Sequence, residues 1–337
     1  MQILYYYLHL MKIALCFIIS YSHTLNKEQL WMNWINENRD IINVYFHYKD
    51  IHKIRSPWIR QYAIPPSLVQ TTTYYDIVPA YLSVLSYAYS HDIDNVWFCL
   101  LTESCVPIVS PLKFRKLFFD HYQASIIGWR PAYWDIHMHR RANLRLLTKE
   151  YWLSNDPWFT MSRSHVQLCL LFLSIKTKIY NIVNSGGLAN ESIFAIILQT
   201  FQQLNDNQRT INASSTIADW SRMSSPTSPY VFKDASAENL NKIDMLMDAN
   251  KYALFLRKID TSFPDNVLIS IMHKNYDHEY SELHNSAKKN NYWQKMSRII
   301  SSQPIVNIAC FIACASMIYS LLTHLFRLAG LPTLATI

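Results

Sequence analysis

Short apolar runs alternate with stretches of helical periodicity along most of the chain. Continuous apolar runs rich in aromatic and β-branched residues predict buried strands at Lys12–Ser20, Asn43–Tyr48 and Asn95–Leu101. Apolar residues spaced three or four apart predict helices at Leu25–Arg39, Asp76–Ser90, Val166–Ile182 and Glu191–Leu204. Because strands and helices alternate, we expect an α/β fold with a mixed, mainly parallel sheet flanked by helices.

The longest hydrophobic stretches lie at the two ends of the chain. Residues 1–19 have the length of a membrane anchor, but Lys12 interrupts the run and no small-residue cleavage site is evident. We therefore interpret this region as the first strand. Near the other end, the 22 residues from Ile305 to Phe326 contain no Asp, Glu, Lys or Arg and are long enough to cross a hydrocarbon core. They predict a C-terminal transmembrane or membrane-associated helix; an amphipathic helix packed on the folded domain is the alternative.

Polar stretches divide the remainder of the chain. Residues 206–230 are rich in Asn, Ser, Thr and Pro and predict a long surface loop. Residues 286–304 have the composition of a polar linker leading into the C-terminal hydrophobic segment. We therefore expect one α/β domain over residues 11–290 and a separate hydrophobic helix over residues 305–326.

Composition argues against several classes of protein. The formal net charge is +7, but the basic residues are scattered, so a nucleic-acid-binding stripe is not expected. The six cysteines form no C-x-x-C pair and no zinc-ligand spacing, which favours reduced thiols over a disulfide framework. With only four glycines, a glycine-rich phosphate-binding loop is excluded.

The polar turn after the strand Asn95–Leu101 is the first candidate site. In α/β sheets ligands bind beyond the carboxyl ends of the strands. The strand runs directly into Thr102, Glu103 and Ser104, and Pro107 then stops regular strand pairing. We expect these three polar residues to line a binding site.

Two other stretches resemble metal sites only by their letters. Asp92-Ile93-Asp94 matches a D-x-D pattern, but it precedes its strand, so we interpret it as a turn at the strand entry. The segment Asp135–His139 (DIHMH) is followed directly by Arg140 and Arg141, which makes it a poor cation site. We interpret it as a surface loop or a loop on the acceptor side of the site, and expect no metal ion.

The segment Trp97–Ile108 (WFCLLTESCVPI) resembles the F-x-L-L-S-x-S-C-x-P-I segment of the core-2/I-branching β-1,6-N-acetylglucosaminyltransferase family. Further segments resemble those of the family in the same order: NVYFH from Asn43 to His47, WFTMSRSHV from Trp158 to Val166, ADWS from Ala218 to Ser221 and LFLRKI from Leu254 to Ile259. Because five segments occur in order over residues 12–260, the resemblance covers about three quarters of the chain.

This resemblance implies a GT-A-like fold and an inverting glycosyltransferase that needs no metal ion. It implies transfer of a sugar, N-acetylglucosamine, from a UDP-sugar to a glycan or glycoprotein acceptor. No cofactor other than this co-substrate and no nucleic-acid partner are expected. The alternatives are transfer of xylose or another sugar within the same family, or a non-catalytic carbohydrate-binding relative.

The resemblance also implies a catalytic base at Glu191. The base of the family is the Glu of a P-D-E segment that opens a helix, and here Ala189 and Asn190 replace the Pro and Asp. The chemistry fits, because inversion is a single displacement and one carboxylate suffices to take the proton of the attacking hydroxyl. The alternative is that Glu191 only stabilises the first turn of a helix through its dipole.

The remaining site residues follow from the other matching segments. The resemblance assigns the diphosphate of the donor to Lys258, with Arg257 beside it, and cations are required there if no metal neutralises the phosphates. A solvated pair of charges at a strand end is the alternative. His47 is expected near the nucleotide. Trp220 and Asp219 are expected to contact a sugar, although Trp220 is equally suited to anchoring its loop.

Three departures from the family bear on where the protein works. The chain shows little sign of disulfides, its best membrane segment is C-terminal rather than N-terminal, and Asn190–Ser192 is a glycosylation sequon at the expected base. These features favour a membrane-associated protein whose catalytic domain faces the cytoplasm. The lumen of the Golgi or the endoplasmic reticulum is the alternative.

Overall fold

The structure is a computed structural model that describes residues 11–19, 22–73, 75–225 and 228–274 of the 337-residue chain. The linker expected at residues 286–304 and the hydrophobic helix expected at residues 305–326 lie outside the described residues, as does the far end of the expected domain. Within the described part, no single helix is both long and apolar enough to cross a membrane. One pair of consecutive helices, Arg163–Ile175 and Thr177–Asn184, meets that test only together, and the pair is bent by 97°.

Strands and helices alternate along the described chain. The strands are β1 (Lys12–Ile18), β2 (Ile42–His47), β3 (Asn95–Thr102), β4 (Val106–Pro107), β5 (Ser125–Ile126), β6 (Trp129–Pro131), β7 (Leu153–Asn155), β8 (Thr160–Ser162), β9 (Thr210–Ile211), β10 (Thr216–Ala218) and β11 (Phe255–Arg257). The α-helices are α1 (Glu28–Asn36), α2 (Pro57–Gln61), α3 (Val78–His91), α4 (Pro111–His121), α5 (Arg163–Ile175), α6 (Thr177–Asn184), α7 (Ile193–Thr200) and α8 (Ala237–Asp248), and residues 265–274 are also helical. Short 3₁₀ turns lie at Ile51–Lys53, Pro66–Leu68, Leu144–Leu146, Lys149–Tyr151 and Ala189–Glu191.

The central sheet has six strands in the order β2-β1-β3-β8-β5-β9. The strand β1 pairs in parallel with both β2 and β3, and β9 pairs in parallel with β5, whereas β8 runs antiparallel to its two neighbours. This mixed, mainly parallel sheet with its helices confirms the expected α/β class. Because β1, β2 and β3 run in one direction, their carboxyl ends share one edge of the sheet.

The sequence located the long elements better than the short ones. The three predicted strands are observed as β1, β2 and β3, and the helix predicted at Asp76–Ser90 is observed as α3. The single helix predicted at Val166–Ile182 is wrong, because the chain bends at Lys176 and forms α5 and α6. The surface loop predicted at residues 206–230 contains the two short strands β9 and β10.

A stack of buried aromatic rings joins the sheet to the first helix. Phe17 on β1 stacks on Phe46 on β2 with ring centroids 5.0 Å apart, and it meets Trp31 on α1 edge to face at 5.0 Å. Trp31 also packs against Phe255 on β11, with centroids 5.8 Å apart. All four side chains are buried. The stack therefore fixes the position of β11 relative to the ends of β1 and β2.

The segment Trp158–Val166 contributes mainly to the fold. The guanidinium of Arg163 donates hydrogen bonds to the carbonyls of Asn95 (2.9 Å) and Tyr89 (3.0 Å) and lies 3.8 Å over the Tyr89 ring. His165 is buried, and its Nδ1 lies 2.7 Å from the hydroxyl of Ser125 on β5. These contacts fasten α5 to α3, to β5 and to the amino end of β3, which is the opposite end of β3 from the polar turn at Thr102.

The D-x-D sequence Asp92-Ile93-Asp94 lies at the same end of the sheet. Asp92 pairs with Lys12 at 2.8 Å and accepts a hydrogen bond from the side chain of Asn43 at 2.8 Å. Its other carboxylate oxygen accepts from the amide of Asp94 at 2.9 Å. This is the expected turn at the strand entry.

The four cysteines of the described residues are buried free thiols, as expected: Cys16, Cys99, Cys105 and Cys169. Burial raises the pKa of each thiol. Cys310 and Cys314 lie outside the described residues.

A small three-stranded sheet carries the last strand to the edge where β3 ends. In this sheet β11 pairs in parallel with β10 and antiparallel with β4, which follows the polar turn after β3. The amide of Ile259 donates to the carbonyl of Ser104 at 2.9 Å, and the amide of Ile108 donates to the carbonyl of Leu254 at 3.0 Å. Residues 257–258 are thereby held beside residues 102–104.

The aromatic stack predicts a large effect of truncating its central ring. Phe17→Ala should lower the free energy of unfolding by about 3–5 kcal/mol, because it removes a fully buried ring and leaves a cavity. Urea denaturation measures the difference. Ile93→Ala is the matched control, since that side chain is 77% exposed and its loss should change stability by less than about 0.5 kcal/mol. Equal effects of the two substitutions would contradict the packing described here.

Candidate active site

A cleft of about 510 Å³ lies at the carboxyl ends of β1 and β3. Ile18 and Thr102, the last residues of these strands, form part of its wall. Seven of the nine residues expected in the site line this cleft: Thr102, Glu103, Ser104, Glu191, Trp220, Arg257 and Lys258. Sequence positions more than 150 residues apart therefore meet in one place.

Glu191 is the last residue of the 3₁₀ turn that precedes α7. The side chain of Asn155 holds this turn: its Nδ2 donates to the carbonyl of Asn190 at 2.9 Å and its Oδ1 accepts from the amide of Ala195 at 3.1 Å. Burial raises the pKa of Glu191, and the nearby guanidiniums of Arg141 and then Arg130 partly oppose this effect. The Nη1 of Arg141 lies 3.4 Å from Oε2 of Glu191. The site thus holds a carboxylate that is more basic than an exposed one and is paired with a cation.

Two adjacent cations enter the cleft at the end of β11. Lys258 donates from Nζ to the hydroxyl of Ser228 at 2.6 Å, and Arg257 lies over the ring of Trp158, 5.0 Å from its centroid. Burial and the charge of Arg257 lower the pKa of Lys258. Like charges held side by side in a partly buried position favour the binding of an anion.

The polar turn after β3 is fixed from both sides. The hydroxyl of Thr102 donates to the carboxylate of Glu103 at 2.5 Å, and the amide of Cys105 donates to the carbonyl of Thr102 at 3.0 Å. From the neighbouring loop, Asn26 donates its amide to the carbonyl of Glu103 at 3.0 Å and its Nδ2 to the carbonyl of Ile259 at 2.7 Å. These bonds give the cleft a rigid polar floor.

His47, expected near the nucleotide, is not among the residues that line the cleft. Its side chain is 1% exposed, and its Nε2 accepts a hydrogen bond from the amide of Gln70 at 3.0 Å. Burial, with a smaller effect of Lys49, lowers the pKa of His47 to about 4, so the ring is neutral at pH 7. The bond to Gln70 supports the following residues Thr72 and Thr73, which do line the cleft. His47 therefore lies one layer behind the wall.

Asp219 is also outside the cleft, and the expectation that it contacts a sugar does not fit its position. Its side chain is fully buried, where it accepts from Nε of Arg222 at 2.7 Å and from the hydroxyl of Ser221 at 2.7 Å, with Nζ of Lys242 at 3.8 Å. Burial alone would raise the pKa of Asp219, but these hydrogen bonds outweigh it and the pKa is lowered. Its contacts organise the loop that carries Ser228 to Lys258.

Trp220, the next residue, has the opposite environment. Its side chain is 49% exposed. It borders both the main cleft and a second depression of about 360 Å³, which it shares with Trp158 and Arg257. A half-exposed indole between two depressions is available to a ligand.

Three residues of the site were missed in the sequence. Arg141 follows the segment interpreted as a surface or acceptor-side loop, and it pairs with Glu191; no local pattern points to this particular contact across 50 residues. Lys49 lines the cleft and donates to the carbonyl of Thr72 at 2.8 Å. Trp158 is the first residue of one of the segments that carry the family resemblance. Its place in that segment is the signal that could have identified it as a site residue. Within the described chain, no three His, Cys, Asp or Glu residues group in a way that would hold a metal ion.

A cleft at the ends of parallel strands, with carboxylates and cations in its wall, defines an α/β protein with a polar ligand site. The family model described as core-2/I-branching enzyme matches residues 14–244. Because this match covers more than half of the chain, the protein belongs to the core-2/I-branching enzyme family. Members of this family are glycosyltransferases, which implies a nucleotide-sugar donor and a glycan acceptor.

Other comparisons add little. No curated protein matches the chain. Among solved structures, it is similar to a 4-diphosphocytidyl-2C-methyl-D-erythritol synthase from Anaerococcus prevotii DSM 20548, with 12% sequence identity and a TM-score of 0.30. That match covers 58% of this chain and 99% of the other. A likeness this distant has no bearing on the function of this chain.

The burial of Asp219 predicts that its negative charge stabilises the fold and that this contribution to the free energy of unfolding depends on pH. Asp219→Asn should lower the free energy of unfolding by about 3 kcal/mol at pH 7, because it leaves Arg222 and Lys242 without their buried counter-charge. A lowered folded-state pKa means that the contribution is complete above about pH 4 and is lost as the pH falls through the folded-state value. Urea denaturation from pH 7 to pH 3 should therefore show the gap between the two proteins closing.

Glu238→Gln is the control for this measurement. Glu238 binds the same guanidinium at 2.7 Å, but its side chain is 77% exposed, so its removal should cost less than about 1 kcal/mol. A loss as large as that of Asp219→Asn would show that burial is not the deciding factor.

Proposed function

We propose that this protein transfers N-acetylglucosamine from a UDP-sugar to a glycan or glycoprotein acceptor, with inversion at the anomeric carbon and without a metal ion, on a GT-A-like fold. The observation that carries the proposal is that Glu191 and Lys258 line the same cleft. The choice of sugar follows the family resemblance. Transfer of xylose or another sugar is the alternative within the same chemistry.

Glu191 acts as the general base. In a single displacement, the acceptor hydroxyl forms a bond to the anomeric carbon while its proton passes to the Glu191 carboxylate. The bond from that carbon to the β-phosphate oxygen breaks, and UDP leaves with the electron pair. Burial supports this role, because a carboxylate of raised pKa is a better proton acceptor near neutral pH.

Lys258 and Arg257 receive the leaving group. Negative charge accumulates on the diphosphate as the glycosidic bond breaks, and cations already in place stabilise it without reorganisation. The adjacent positions of these two residues at the end of β11 support this role. Their own mutual repulsion is relieved when the diphosphate binds.

The acceptor is assigned to the side of Trp220. An indole face packs against the C–H face of a sugar, and Trp220 is exposed at the junction of the two depressions. Arg130 and Asp156 supply polar groups in the second depression. An acceptor that enters past Trp220 reaches the part of the cleft that contains Glu191.

The replaced P-D-E segment bears on whether the protein is catalytic. The side chain of Asn155 bonds to the turn on both sides of Glu191, through the carbonyl of Asn190 and the amide of Ala195. This clamp supports a catalytic protein, because it orders the turn without the proline. A non-catalytic carbohydrate-binding relative is the alternative, and assays of UDP release across a panel of UDP-sugars with mixed glycan acceptors separate the two.

Removal of the base gives the most direct test. Glu191→Gln should lower kcat by about 10²–10⁴-fold while UDP affinity stays within about threefold, because the carboxylate is used only in the displacement. UDP release measures turnover, and calorimetric titration with UDP measures binding. Glu150→Gln, an exposed carboxylate outside the cleft, should behave as wild type. Turnover retained by Glu191→Gln would remove Glu191 from the reaction.

Loss of the Lys258 ammonium group should lower the efficiency with which the protein uses the UDP-sugar donor. Lys258→Met should lower kcat/KM for the UDP-sugar by about 10²–10³-fold, because one donor to the developing diphosphate charge is lost. Wild-type turnover should be unchanged by EDTA. Lys251→Met is the control, since Lys251 is exposed and outside the cleft. An unchanged kcat/KM for Lys258→Met, or inactivation by EDTA, would refute charge neutralisation by these side chains.

A further inference from the structure

The loop at residues 140–144 packs against the turn that carries Glu191. The amide of Ala142 donates to the carbonyl of Gly187 at 2.9 Å, and Nδ2 of Asn143 donates to the carbonyl of Ile182 at 3.0 Å. A Cβ at Gly186 would lie 2.4 Å from the amide nitrogen of Asn143 and 2.7 Å from the carbonyl carbon of Ala142. The two backbones therefore approach so closely that only glycine fits at position 186.

Backbone strain is concentrated at this contact. Ala142 (φ 49°), Asn143 (φ 48°) and Leu188 (φ 55°) adopt left-handed conformations, and they are three of the five non-glycine residues in the described chain that do so. Each such residue costs about 1–2 kcal/mol, and strain of this kind persists only where the surroundings impose it. The hydrogen bonds and the close packing at Gly186 impose it here.

The packing of the loop at residues 140–144 on this turn brings Arg141 into contact with Glu191. The guanidinium of Arg141 lies 5.3 Å over the ring of Trp134 on one side and 3.4 Å from the Glu191 carboxylate on the other. An ion pair between side chains that are 26% and 23% exposed contributes about 0–1 kcal/mol to stability, which is less than the strain at the contact. The loop therefore positions the arginine, and the arginine does not hold the loop.

Arg141 is also the cation that dominates the surroundings of Glu191. The charged and titratable groups that influence Glu191 are Arg141, Arg130, Asp156 and the phenol of Tyr81. Arg130 and Asp156 pair with each other at 3.5 Å, and their effects on the pKa of Glu191 are opposite in sign. Burial raises the pKa of Glu191, and Arg141 is the largest opposing influence.

We propose that Arg141 is a positioning residue for the transfer reaction: it orients the Glu191 carboxylate and keeps it ionised, and so sets the lowest pH at which the base works. This inference rests on the proposed function, because it requires Glu191 to be the base. It assigns a role to the strained loop, whose residues otherwise have no part in the reaction.

The pH dependence of turnover tests the proposal. Without the cation the pKa of Glu191 rises, so the base is protonated over a wider range and activity is lost earlier as the pH falls. Arg141→Gln should therefore move the acid limb of the kcat profile upward by about 0.5–1 pH unit. Arg140→Gln is the matched control, because it removes the same charge from the neighbouring residue and should leave the limb in place. Arg141→Lys keeps a cation at this position, so it should move the limb in the same direction by less than Arg141→Gln does.

A second readout does not require turnover. The carboxyl carbon of Glu191 is followed by NMR in ¹³C-glutamate-labelled protein, with Glu191→Gln assigning the resonance, and its midpoint should rise in Arg141→Gln by the same amount as the kinetic limb. If Arg141→Gln does not fold, Arg141→Lys carries the test, since a less preorganised ammonium should shift the limb in the same direction by about 0.3 pH unit. An unshifted limb in the folded variant, or an equal shift in Arg140→Gln, overturns the proposal.

The controls separate this inference from the proposed function. A wild-type protein that releases no UDP from any donor refutes the proposed function, and activity in Glu191→Gln refutes the base. When wild type is active and Glu191→Gln is inactive, an unmoved limb and an unmoved midpoint in Arg141→Gln refute the role of Arg141 alone.

Discussion

The backbone hydrogen bond from the amide of Ile259 to the carbonyl of Ser104 is the contact on which the cleft depends. It joins the turn after β3 to the end of β11, although more than 150 residues separate them in the chain. Trp31 reinforces the junction by packing on Phe255 of β11. Asn26 donates hydrogen bonds both to the turn after β3 and to the end of the segment that follows β11. Without this junction Lys258 and Arg257 would have no fixed position relative to the polar turn.

Much of the fold was predictable because its long elements have clear hydrophobic patterns in the sequence. The strands β1, β2 and β3 are continuous apolar runs buried on both faces, which is what central parallel strands require. The remaining strands of the central sheet have only two or three residues, and no periodicity can be read from so few. The break between α5 and α6 was missed because Lys176 looks like any exposed helical position.

The polar turn after β3 was predictable from the strand order alone, and the rest of the site only as far as family segments mark it. The residues after β3, Lys258 and Glu191 line one cleft, and each lies at or next to the end of a regular element. His47 and Asp219 lie behind the cleft wall, and the sequence could not show this, because the residue types of a segment do not distinguish a side chain that touches a ligand from one that supports the wall. Arg141 was not predictable, because its place depends on left-handed backbone at Ala142, a residue type that gives no such signal in the sequence.

Two of the buried histidines make the fold sensitive to acid. Burial lowers the pKa of both His47 and His165 to about 4, whereas the unfolded chain holds its histidines near about 6.5. Above that pH both states leave the rings neutral and stability is complete. As the pH falls towards 4, His47 and His165 become protonated in the unfolded chain but stay neutral in the folded chain. The folding equilibrium therefore moves towards the unfolded state. An acidified vesicle would thus weaken the wall of the cleft and the β5 side of the sheet together, whereas a neutral compartment would leave both intact.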